Sequence, residues 1–413
     1  MNVQKQRNID VLSHSDQGGR ADGLQIMVQD GYAYVAHMFS GGFTVLDVKD
    51  PRNPKPVNFV PTPPNTWAIH LQAHGDLLLV INEVDLFRLF TDESEYYGGN
   101  IGDAYGRIEK NFAAGLRVYD ISDRANPREI GFMPVDGLGL HRIWYVGGRY
   151  AYVSAHVDGY IDHFFMVIDM SDPTKPVEAG RWHLPGIHAA GGETPDWSPD
   201  QRYALHHGLV ADGIAYTAWR DGGLVLLDVK DPANITMLSH LNTNPPFGGG
   251  THSCLPLPSR GLVIVADEAV ADECADGVKY TWVVDVRDPT NPVPISTFPT
   301  PDEDDYATLG GHFGPHNLHE NRPGSFQSDT LVFATYQNAG VRVFDISNQF
   351  RPEETGYFVP GPPEKMFDTR PGSGRQEWVP PPNGGFQFRW DSSSGFDGSF
   401  TSSRTSPPSR QAL

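Results

Sequence analysis

An all-β fold, a six-bladed β-propeller of four-stranded antiparallel blades, is what the 413 residues predict, and three features predict it. One phrase recurs six times: an apolar strand ending in aspartate, then a turn, then proline. Each copy is flanked by further short apolar runs, so about four strands repeat per unit, the pattern of a propeller blade. Gly 44 and Pro 35 supply the turns that so many short strands need.

In chain order the phrases are "GGFTVLDVKDPRNP", "AGLRVYDISDRANP", "FFMVIDMSDPTKP", "GGLVLLDVKDPANI", "YTWVVDVRDPTNP" and "AGVRVFDISNQFRP". Their marker aspartates are Asp47, Asp120, Asp169, Asp228, Asp285 and Asp345. The aspartate side chain can cap the turn through its own backbone, while Asp-Pro or Asn-Pro stops the strand. Before the phrase comes a second strand, such as "GYAYVAH", "GRYAYVSAH" or "GIAYTAW". After it comes an outer one, such as "PVNFV" or "EIGFMPV". These strands read as nearly continuous apolar runs because both faces of a blade are covered by neighbouring blades.

The phrases resemble the LVIVD-repeat family, whose signature strand here reads "LVLLDV" or "MVIDM", and the resemblance runs from Leu24 to about Pro360. It implies a propeller and no particular activity. Two segments depart from the pattern. Val84 to Ala114 stretches the second unit, and its Tyr/Phe content suggests a lid over the mouth or a homo-oligomer contact. The tail from Ser373 is serine-rich, with only Val379 and Leu413 as aliphatic strand formers, and is expected to be disordered. The expected division is a propeller over 1–372 with an insertion at 84–114, then a low-complexity tail over 373–413. A degenerate seventh blade is the alternative to six.

Lys+Arg 31 against Asp+Glu 51 gives −20, which argues against nucleic acid or an anionic membrane surface as partner. The two cysteines, Cys254 and Cys274, cannot form a disulfide framework. The N-terminal stretch lacks a signal-peptide core, and no apolar run is long enough to span a bilayer, so a cytoplasmic location is expected.

The chemistry lies in the histidines. In a propeller the inner strand begins, and the second strand ends, on one face around the axis. The inner-strand starts carry Gln25, His70, His141, His206 with His207, His252 and His316, and the second-strand ends carry His37, Glu83, His156, Asp221 and Glu268. Neutral imidazoles gathered on one axis suit a divalent transition metal (Fe, Mn, Cu or Zn). The expected ligands are His70, His141, His207, His252 and His316, losing metal as pH falls below about 6.5. Glu83, Glu268 and His156 are the expected catalytic groups beside them. His74, His163, His183, His188 and His240 read as surface or packing residues, and His312 and His319 as neighbours of His316. Histidines lining a channel, inherited by duplication, are the competing explanation. No nucleophile elbow, Cys-x-x-Cys or His-Glu-x-x-His motif is present.

The expected function is therefore a metal-dependent enzyme acting on a small-molecule substrate at the axial mouth, an oxidoreductase (oxygenase or oxidase) first. A metal-assisted lyase or hydrolase, and a non-enzymatic protein-interaction scaffold, are the alternatives.

Overall fold

Each recurring phrase forms the third strand of a blade and the turn beyond it. The computed structural model describes residues 3–20, 22–86, 109–271, 274–301, 306 and 312–361. The insertion expected at 84–114 falls outside the described residues from 87 to 108, and the tail over 373–413 falls outside them entirely.

Six antiparallel blades follow one another. The first is Gly23–Gln29, Tyr32–His37, Gly42–Asp47 and Lys55–Pro61. The second is Leu71–His74, Leu77–Val84, Gly115–Asp120 and Arg128–Pro134, with Thr66–Trp67 added beside Leu77–Val84. Gly139–Trp144, Tyr150–His156, Phe164–Asp169 and Val177–Trp182 make the third. Tyr203–Ala211, Ile214–Arg220, Leu224–Asp228 and Thr236–Leu241 make the fourth. The fifth is Thr251–Leu257, Leu262–Asp267, Thr281–Asp285 and Val293–Thr297. In the sixth, a single bridge from Leu318 to Ala334 stands for the inner strand, beside Leu331–Thr335, Val341–Asp345 and Glu353–Pro360. The N-terminal strand Val3–Arg7 pairs with Glu353–Pro360 and ties the start of the chain to the last blade. Six blades are thus traced within the described residues.

The marker aspartates behave as their sequence predicts. Each accepts a hydrogen bond from the backbone N–H two residues on, at 2.7–3.1 Å, in all six blades. Three residues later Asp50, Asp123, Asp172, Asp231, Asp288 and Asn348 repeat the device at 3.0–3.2 Å. The blades also touch at one recurring outer-strand position. Asn58 donates to Ala125 O, Ser239 to Pro289 O and Ser296 to Gln349 O, each reaching the next blade's turn. At Gly180 the approach is closest, and a Cβ there would overlap Pro232 O.

The apolar strands carry the stability. Leu79, Ile81, Ile143, Phe165, Val167, Leu205, Trp219 and Val225 belong to one buried cluster spanning blades two to four. Each such side chain contributes about 1.5–3 kcal/mol on burial.

The opposite end of each blade is irregular. Between inner and second strand the register shifts at Gly23/Ile26, Leu140/Ile143, Tyr203/His207 and Thr251/Ser253. In blade two the inner strand breaks between Trp67 and Leu71. Every one of these irregularities contains, or ends on, the residue singled out above: Gln25, His70, His141, His206 with His207, and His252. Bulges of this kind bend a strand and re-aim its side chains.

Two outcomes test this ring. Deleting residues 1–8 should lower Tm by about 5 °C or more in a thermal melt, because the closing strand is lost. Truncation after Gly372 should leave Tm unchanged, and a drop there would mean the tail takes part in closure.

Candidate metal centre

The bulged strand starts bring their imidazoles into one chain of rings around the axis. His70 lies 5.5 Å from His141 between centroids, and His141 lies 5.0 Å from His206. His206 stacks on His252 at 3.6 Å, and His252 meets His316 at 4.3 Å. Blades two to six are joined in order by these contacts. Gln25 links blade one, accepting a hydrogen bond from Leu71 N at 2.6 Å.

His206 Nδ1 donates to His252 O at 3.0 Å, and His252 Nδ1 lies 2.9 Å from Ser253 Oγ, which can donate to it, and 3.1 Å from His316 O. Burial, reinforced by neighbouring imidazoles and by Arg220 and Arg142, holds both rings well below the usual imidazole range. Both are neutral. His252 Nε2 lies 3.6 Å from Glu268 Oε2, and His316 Nε2 lies 3.4 Å from Glu268 Oε1, with its Nδ1 3.1 Å from Asn317 Nδ2. Potential ligand atoms of His252, Glu268 and His316 all lie within 4.8 Å of one another. Donors about 2.1 Å from a shared ion sit about 3.0–3.5 Å apart, which the two measured separations approach.

Glu268 is held rigidly. Arg220 from blade four contacts its Oε2, Glu268 N donates to Gly250 O at 2.8 Å, and Gln337 Nε2 donates to Ala269 O at 2.8 Å. Arg220 (φ 50°) and Gln337 (φ 37°) both adopt the left-handed region, a strain typical of functional sites. Burial opposes ionisation of Glu268, but Arg220 and His316 outweigh it and keep its carboxyl below the ordinary range.

His141 belongs to a second network. Its Nδ1 donates to Glu83 Oε2 at 2.8 Å, Glu83 Oε1 accepts from His163 Nε2 at 2.8 Å, and His163 Nδ1 meets Asp162 Oδ1 at 2.9 Å. Arg202 clamps Asp162 at 2.7 Å. Burial works against charge throughout this relay, yet its members compensate one another. Asp162 and Glu83 outweigh burial and raise the His163 pKa to about 9, and His141 and His163 hold that of Glu83 at about 2. His156 accepts from Leu138 N through Nδ1 at 3.2 Å, and burial followed by the nearby His163 charge pushes it down to about 4.

The expected site residues therefore divide. His252, His316 and Glu268 converge on one point, with His206 stacked beside them. His141 adjoins that group, and Glu83 orients it from behind. His156 lies at the far end of the relay. His70 and His207 fall on the other side of Arg142, whose guanidinium approaches their Nδ1 atoms at 3.1 and 3.3 Å, and His207 Nε2 faces Glu320 Oε1 at 3.6 Å. His37 is engaged within blade one by Asp22 at 3.0 Å and Thr44 at 2.8 Å. Asp221 turns away and accepts from Arg202 N and Gly250 N at 2.8 and 3.1 Å. Sequence reasoning missed Arg220, Arg142, His163 and Asp162. His163 carried the one available signal, since "DHFF" interrupts an otherwise apolar strand start with a charged pair.

The LVIVD repeat matches residues 18–62, 142–183 and 209–243. The chain carries LVIVD repeats on a β-propeller fold. Among curated proteins none matches it in sequence. Solved structures share its fold at low identity. A functionally unknown protein from Desulfotomaculum acetoxidans is similar at 12% identity with a TM-score of 0.51, covering 82% of this chain and 86% of that one. A protein from Lactobacillus plantarum gives 12%, 0.53, 82% and 85% for the same quantities. A hypothetical selenium-binding protein from Sulfolobus tokodaii gives 14%, 0.50, 81% and 75%. These likenesses concern the fold alone. No helix among the described residues is long and apolar enough to cross a membrane.

The relay has a pH signature. A pKa raised from 6.5 to about 9 means that His163 stabilises the fold fully below pH 6.5 and loses that contribution as pH rises through about 9. Wild-type Tm should fall across this window in melts at stepped pH. Asp162→Asn removes one carboxylate partner and should shift the fall toward lower pH. An unchanged profile would contradict the charged relay.

Proposed function

We propose that this LVIVD-repeat propeller is a metal-dependent enzyme, holding one divalent first-row transition ion through His252, His316 and Glu268 and acting on a small molecule at the axial mouth. One observation carries the reading. His252 Nε2 and His316 Nε2 converge on one buried carboxylate, Glu268, at 3.6 and 3.4 Å, a donor set and spacing that a divalent ion fits. His252 Nδ1 and His206 Nδ1 each lie beside a carbonyl and His141 Nδ1 beside Glu83, the outer contacts that metal-bound imidazoles commonly make.

Two imidazoles and one carboxylate with positions left open suit oxygen-dependent Fe(II) chemistry, which supports an oxidoreductase. The bound ion would supply Lewis-acid or redox activation of whatever occupies those positions. The same donors suit zinc, so zinc as the resident metal would favour a hydrolase or lyase. His141 and His316, each 12% exposed in its side chain, are where solvent reaches the cluster.

Elemental analysis of protein grown in metal-replete medium should find close to one equivalent at this centre. His252→Ala and Glu268→Gln should each lose most of it while far-UV circular dichroism stays unchanged, because the apolar strands hold the blades. Burial keeps His252 and His206 neutral in acid, so metal release on acidification should have its midpoint below the 6.5 of an ordinary imidazole. A protein without metal, and taking up none on reconstitution, would turn these rings into channel lining and favour the scaffold.

A further inference from the structure

Two loops of blade three lie against each other on the face where the inner strands begin. One joins Tyr150–His156 to Phe164–Asp169, and the other leaves Val177–Trp182. Ile161 N donates to Ile187 O at 3.0 Å and Ala190 N to Gly159 O at 2.9 Å. The second loop reads "HLPGIHAAGGE" and gathers His183, His188 and Glu193 so that potential ligand atoms lie within 4.8 Å of one another. All three are half-buried, and none takes part in the axial cluster or its relay.

Each donor is positioned by its surroundings. Glu193 Oε2 accepts from Gly186 N at 2.8 Å and from His188 N at 3.1 Å, and lies 3.7 Å from His183 Nδ1. The His188 ring stacks on Tyr160 at 4.3 Å with planes 12° apart. Its other side faces Gly191, where a Cβ would come within 2.5 Å of Nδ1, so only glycine leaves the ring its place. His183 meets Tyr160 edge-on at 5.4 Å and His188 at 5.6 Å. A histidine–carboxylate ion pair needs one ring. Here two rings converge on one carboxylate that the backbone has already aimed.

We propose that His183, His188 and Glu193 form a second, peripheral divalent-metal site, of a donor set suited to zinc with a position open to water. It stands independently of the axial centre. Its half-buried setting makes it the faster-exchanging of the two, so a mild chelator should empty it first.

Zinc titration by calorimetry tests the proposal. His252→Ala, which disables the axial centre, should still bind one equivalent. Adding Glu193→Gln to that variant should abolish binding, while the metal-free Tm stays the same because the glutamine carbonyl can accept from Gly186 and His188. In the wild-type background Glu193→Gln and His188→Ala should each reduce two equivalents to one and remove the fast phase of chelator release. A His252→Ala protein that folds and takes no zinc overturns the proposal, as does an unchanged stoichiometry in Glu193→Gln. If wild type binds one equivalent that vanishes with His188→Ala and survives His252→Ala, the axial reading fails and the peripheral site stands.

Discussion

Glu268 is the constraint around which the mouth of this propeller is arranged. A carboxylate buried beside neutral imidazoles must find positive charge, and Arg220 supplies it at Oε2. The opposite edge faces His316 Nε2, and His252 Nε2 approaches Oε2 as well. Arg220 holds a left-handed backbone to reach this carboxylate, and Gln337 does so while binding the carbonyl next to it. Strain in two blades thus serves one residue in a third. Two of the stacked imidazoles, His206 and His252, also meet through Nδ1 a carbonyl of the next blade.

Stability and chemistry occupy opposite ends of the blades. At one end, six aspartate turns repeat almost without variation, each closed by a backbone N–H. At the other, the inner strands bulge or break where regular pairing would have hidden the imidazoles. Because the apolar strands between the ends carry most of the burial energy, the chemical end can vary between blades without unfolding them. This accounts for Gln25 standing where the other blades place histidine. It also accounts for charged pairs such as Asp162–His163 surviving inside a core, where compensation within the relay offsets their desolvation.

The fold was legible because its signal is local and repeated: Asp47 and its five counterparts both mark and make their turns. The closing strand Val3–Arg7 was not, since five residues of mixed polarity take their meaning only from a partner some 350 positions away. In the site, the recurrence of histidine at inner-strand starts corresponds to the chain of rings from His70 to His316, and the second-strand ends place Glu83 and Glu268 beside it. The choice within the pair His206–His207 was missed, because a bulge between Tyr203 and His207 decides which ring stacks on His252. The grouping of His70 and His207 with Arg142 was invisible for a similar reason. Arg142 follows His141 directly, and only a register shift lets both neighbours serve the axis.

The proposed metal centre requires a cation between His252 Nε2, His316 Nε2 and Glu268. Anomalous X-ray diffraction from crystals of protein purified without chelator, collected on both sides of the absorption edge of whichever metal fluorescence detects, is the decisive measurement. A peak is expected within about 2.1–2.3 Å of all three side chains, with Arg220 still on Glu268. Well-ordered side chains around a point with no anomalous signal, in crystals soaked with the same metal, would contradict it.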